Sequence, residues 1–155
     1  MAAFRSLLVL LPVFCFSCLL HAEDVPYGVS TSRFAPGLGN HRARLAVAEK
    51  AEAVWAHIPW RRRDPSPEKK NVLVVSAAGK PVPNRVAVDI NREFGDVIFR
   101  ADAPGEYFVY YLPYVGSGRS NYPRVTYPEP QATADAEWLR RIGLTPDAPG
   151  SRVWE

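Results

Sequence analysis

The densest set of chemically capable side chains lies in one short stretch: His57, Ile58, Pro59, Trp60, Arg61, Arg62, Arg63, Asp64 and Pro65. Three consecutive guanidinium groups beside an indole could grip an acidic sugar or another carboxylate, because the fork pairs bidentately with carboxylate oxygens and stacks on aromatic faces. The same residues also suit a structural loop. In that reading Asp64 neutralises one arginine, the two prolines frame the turn and Trp60 anchors it on a sheet. A second set is aromatic: Trp55, Trp60, Tyr110, Tyr111, Tyr114, Tyr122 and Tyr127. Such rings make stacking platforms for sugars, and they equally fill cores and interfaces. Trp60, Arg61, Arg62, Arg63, Asp64, Tyr110, Tyr111 and Tyr114 are therefore the candidate ligand-binding or interdomain residues.

Patterns for bond-making chemistry fail one by one. Asp89, Asn91 and Glu93 have the spacing of a calcium loop, but the glycine that loop needs at its sixth position is Phe94. The three histidines, His21, His41 and His57, lack metal-ligand spacing. Gly116, Ser117 and Gly118 lack the residue that a nucleophile elbow places between its first glycine and its serine. Gly37 and Gly39 miss the third glycine of a dinucleotide loop, and no phosphate loop precedes Gly79 and Lys80. No two carboxylates pair obviously for acid and base work. The expectation is a non-enzyme with no metal and no cofactor.

The elements that must position these residues begin after an export segment. Arg5 supplies a positive start and Leu7 to Leu20 an apolar run of signal-peptide length, so residues 1–22 are expected to be removed and the protein exported, to the periplasm or the cell exterior. Cleavage is expected after Ala22; cleavage after Ser17 better satisfies the small-residue rule, and Cys18 sits in a poor lipobox. Both cysteines of the chain, Cys15 and Cys18, lie in that segment, which leaves the mature protein without a disulfide or a thiolate. The net charge of +3 falls by one with Arg5, too little to imply nucleic-acid binding, and no membrane attachment is expected once the signal is gone.

Residues 23–40 read as a glycine-bearing leader. Between His41 and Trp60, helical and alternating spacing compete, and local propensity slightly favours the helix. The β-rich sequence downstream favours a hairpin instead, with Glu49 to Glu52 as its turn. Asn71 to Ala77 suits a buried strand. Arg85 to Arg92 alternates, with Val86, Val88 and Ile90 on one face; Gly95 is expected to turn the chain, and Val97 to Arg100 to return. Pro104 and Gly105 make the next turn before Glu106 to Leu112, a strand apolar or aromatic on both faces, which demands a cover on its second face. Asp135 caps a short helix through Ile142, ended by Gly143, and Pro146, Pro149 and Gly150 read as a linker. The fold class is all-β: a single antiparallel β-sandwich, immunoglobulin-like or jelly-roll-like, over residues 41–130, with a short C-terminal helix in residues 131–155.

The runs HRARLAVAEKAEAVWAHIPWRRRDPSPEKKNVLVV, VDINREFGDVIF, PGEYFVYYLPY and GRSNYPRVTYPEP together resemble the N-terminal β-sandwich domain of bacterial secreted proteins related to glycoside hydrolase family 123. The resemblance implies an accessory module preceding a (β/α)8 catalytic barrel. It implies further that relatives act on β-linked N-acetylgalactosamine with help from the substrate's acetamido group, through an adjacent aspartate and glutamate in that barrel. The only adjacent acidic pair of that kind here is Glu23 and Asp24, in reversed order, so no catalytic residue carries over. The expected role is a non-catalytic module that docks a catalytic domain and contacts glycan. A stand-alone carbohydrate-binding or protein-interaction domain is the alternative.

Overall fold

Short apolar runs make the strands of this protein, and the partners those strands take build two facing sheets. The computed structural model describes residues 27–31 and 33–144; the signal segment with His21 and both cysteines, the start of the leader, and the proposed linker lie outside the described residues. The strands are Arg42–Val47 (β1), Ala51–Pro59 (β2), Leu73–Ser76 (β3), Arg85–Ile90 (β4), Phe94–Ala101 (β5), Gly105–Tyr110 (β6), Val115–Arg119 (β7) and Tyr122–Thr126 (β8), followed by the helix Ala136–Arg141 (α1). One sheet has the order β1-β6-β3, the second β2-β5-β4, and β7 pairs only with β8. Every pairing is antiparallel.

The core lies between the two three-stranded sheets. Ala56, Ile58, Val97, Phe99 and Ala101 from one side meet Val72, Val74, Tyr107 and Val109 from the other, and Phe99 and Tyr107 bring their ring centroids to 5.2 Å. The chain is thus a sandwich, as the spacing of strands and turns implies.

The expected hairpin between β1 and β2 does not form. Both segments are strands, but β1 pairs with β6 and β2 with β5, so the chain crosses between sheets after Val47. Ala43, Leu45 and Val47 of β1 and Val54, Ala56 and Ile58 of β2 all face the common core, and they reach it from its two opposite sides.

Two further departures come from local backbone detail. A register shift between Ala87 and Asp89 inserts one extra residue in β4. Such a bulge reverses the facing of the residues beyond it. Val86 and Val88 therefore pack outward, while Ile90 packs on the inter-sheet core. Gly95 is inside β5, paired with Ile58 and Ile90, rather than at a turn. Asn91 makes that turn, its side-chain oxygen accepting hydrogen bonds from the Glu93 and Phe94 amides at 2.9 and 3.0 Å.

The hairpin β7–β8 has no counterpart among the strands expected from the residues. Prolines and glycines in its strands weaken the alternation by which strands are recognised.

α1 closes the outer face of the second sheet. Asp135 accepts a hydrogen bond from the Trp138 amide at 2.9 Å, the expected cap, and Gly143 ends the helix at a φ of 70°. Trp138 is fully buried against the outer side of that sheet with Ile98, Val86 and Val88, and its indole donates to the Glu52 carbonyl at 2.8 Å. Six residues of helix cannot stand alone, so this contact holds the helix in place. Trp138→Ala is expected to destabilise the protein by about 3–5 kcal/mol in urea unfolding. A change within error of zero would show that the helix does not belong to the folding unit.

Candidate functional site

Trp60 comes directly after β2, and its position is set by the strand across from it. The Trp60 and Arg62 amides donate to the Glu93 and Arg92 carbonyls at 2.8 and 2.9 Å, so the pairing of β2 continues past Pro59 into the arginine run. The Trp60 ring is 3% exposed, lies over Gly95, and donates from Nε1 to the Asn91 carbonyl at 2.9 Å. A side chain at position 95 would occupy the space of the indole, which explains a glycine inside a strand.

The alternation of an extended backbone then separates the three arginines. Arg61 and Arg63 are exposed, and Arg62 turns inward, its side chain 2% exposed. Arg62 donates from Nε and Nη2 to the two carboxylate oxygens of Asp64 at 2.9 and 2.8 Å. Lys70 donates to the same carboxylate at 2.6 Å and to the Pro65 carbonyl at 2.8 Å, with its ammonium 4.9 Å from the Tyr127 ring centre. Burial works to raise the Asp64 pKa, yet the hydrogen bonds and charges of Arg62 and Lys70 hold that carboxyl well below the usual carboxylate range.

A cavity of about 300 Å³ opens here, lined by His41, Trp60, Arg61, Arg62, Arg63, Asp64, Tyr111 and Leu112. Trp60 and Tyr111 form its aromatic wall, with ring centroids 4.7 Å apart, and His41 stands 5.7 Å from Tyr111. Burial raises the Tyr111 phenol above its usual pKa, against the opposing charge of Arg62.

The candidate residues therefore divide among three places. Trp60 to Asp64 and Tyr111 share the cavity. Tyr110, the residue before Tyr111, faces the outer side of the first sheet, where Phe34 meets it edge-on at 5.4 Å and Arg42 stacks between Phe34 and Phe108. These leader and strand residues are part of the cover that the second face of β6 demanded. Tyr114 contacts Tyr127 at the base of the β7–β8 hairpin. Trp55 is half-exposed and pairs in register with Ile98, so the seven aromatics do not form one platform. His57 is likewise on the outer face, 2.7 Å from Asp96. Lys70, His41 and Leu112 are not among the candidate residues of the sequence, because only folding brings them to the arginine run.

A larger cleft of about 530 Å³ lies along β4, with apolar walls from Val86, Val88, Leu139 and Leu144. Both of its cations are occupied: Lys70 by Asp64, and Arg85 by the Val72 and Val82 carbonyls and Thr133, to which it donates at 2.8 to 3.1 Å, and burial lowers the Arg85 pKa. Among the described residues no group of three or more histidine, cysteine or acidic side chains is placed to hold a metal ion.

The described residues thus form a small antiparallel sandwich with a basic, aromatic-walled cavity at one edge. The comparison with protein families gives its lineage. The chain belongs to the family described as glycoside hydrolase 123, N-terminal domain, which matches residues 33–153. No curated protein and no solved structure gave a significant match.

The geometry of the site sets two expected outcomes. Gly95→Ala is expected to cost about 1–3 kcal/mol by forcing the Trp60 ring off the sheet, read by denaturant unfolding; unchanged stability would mean that the indole has room elsewhere. The folded pKa of Asp64 lies below its unfolded value, so the unfolded chain takes up the proton first as acid is added. Its stabilisation is complete above about pH 3.9 and is lost as pH falls toward the folded pKa. Asp64→Asn should lower stability at neutral pH by about 3 kcal/mol and flatten the acid slope. Parallel slopes for the two proteins would remove Asp64 from this role.

Proposed function

We propose that this chain is a non-catalytic accessory β-sandwich module of an exported glycoside-hydrolase-like protein, one that docks a (β/α)8 catalytic domain and contacts glycan. Membership of the N-terminal domain family over residues 33–153 is the observation that carries this reading. The β7–β8 hairpin adds to it. All ten of its strand residues are exposed, among them Tyr122, Val115 and Val125. A two-stranded ribbon that buries nothing is marginal in water and gains most from a partner surface. The stand-alone alternative, a carbohydrate-binding or protein-interaction domain, draws on the cavity beside Trp60 and Tyr111, where a compact ligand would meet aromatic walls and cations together.

The purified chain is expected to release no aryl group from an aryl β-N-acetylgalactosaminide. Turnover that co-purifies with the protein through two unrelated columns would overturn the accessory reading and make the chain an enzyme.

A further inference from the structure

Arg62 has two edges with which to grip carboxylates, and Asp64 occupies only one. The Nε and Nη2 edge is filled by the carboxylate of Asp64, while Nη1, buried in a side chain that is 2% exposed, has no hydrogen-bond partner. Buried guanidinium donors are ordinarily all paired, and an orphan in a charged group is costly. Charge points the same way. Arg62 and Lys70 share the single carboxylate of Asp64, so this partly buried cluster keeps one positive charge in excess, and the exposed Arg61 and Arg63 add two more along the same cavity. The Arg62 guanidinium carbon lies 5.4 Å from the centre of the buried Trp60 ring, and the partly exposed Tyr111, stacked on Trp60, gives the cavity its aromatic wall. Its volume of about 300 Å³ suits a compact ligand such as one sugar ring.

We infer that the cavity between the arginine run and Tyr111 binds a carboxylate-bearing sugar of the hexuronate class, its carboxylate taken by the free edge of Arg62 and its ring held between the aromatic wall and the outer arginines. Asp64 and Lys70 then act as the support that fixes the guanidinium plane, and Arg61 and Arg63 attract the anion. This rests on the glycan-contact part of the proposed function and gives that contact a chemistry. The docking role is independent of it.

The test is calorimetric titration of the full chain with galacturonate, galactose and acetate in low salt. Saturable binding of galacturonate, with galactose and acetate each at least about 30-fold weaker, is the expected result. Arg62→Lys, which keeps the charge and loses the fork, should weaken galacturonate by a similar factor; its fold is checked by circular dichroism. If that variant does not fold, the three-ligand comparison on the unaltered chain decides. Galactose binding as tightly as galacturonate would overturn the carboxylate site and leave glycan contact standing. Acetate matching galacturonate would reduce the site to an anion hole without a sugar and also overturn it. Absence of binding by all three would remove both the site and glycan contact at this cavity.

Discussion

The closure of the two sheets on each other, ring against ring at Phe99 and Tyr107, is the contact on which the rest of the molecule depends. These residues belong to β5 and β6, the central strands of the two sheets. Val97, Phe99, Ala101 and Val109 beside them are excluded from water altogether. Burial of that apolar area is the main term favouring the fold, since the residues of the sandwich include no cysteine with which to staple its sheets. Each strand at the margins then has its face dictated: whatever β1, β2, β3 and β4 carry toward the centre must match these rings.

Because β5 carries the apolar Ile98 on its outer side, the sandwich needs a third layer there. Ile98 points away from the inter-sheet core, and α1 answers it with Trp138 and Leu139. The bulge in β4 serves the same geometry, aiming Val86 and Val88 at the helix while returning Ile90 to the core. One inserted residue thus lets a single strand contribute to two cores.

The arginine run is placed by the same strand pairing. Trp60, directly after β2, continues that strand's core face, and the hydrogen bonds from its amide and that of Arg62 to the Glu93 and Arg92 carbonyls carry the extended backbone onward. Alternation along that backbone sends Arg62 inward and its two neighbours outward. A guanidinium carried below the surface requires a counter-charge close by. Asp64, two residues along, is near enough to provide it. The result is a buried cation, held by strand pairing on one side and by a carboxylate on the other, beside a small aromatic-walled cavity.

Much of this was legible in the residues themselves. Alternation and turn chemistry identified the core-facing strands, Asp135 and Gly143 marked both ends of the helix, and the runs shared with family 123 domains identified the lineage. These are local signals: the period of apolar residues, the demands of a cap, a string of residues in order. Tertiary structure alone decided which strands pair, because β1 and β2 read equally well as neighbours and as members of opposite sheets until their partners' faces are known. It also decided that Gly95 makes room for an indole, that Tyr110 and Tyr111 serve opposite sides of one strand, and that Lys70 joins Arg62 on Asp64. Each of these depends on which side chains arrive from distant parts of the chain, and burial and charge pairing are settled only when those parts meet.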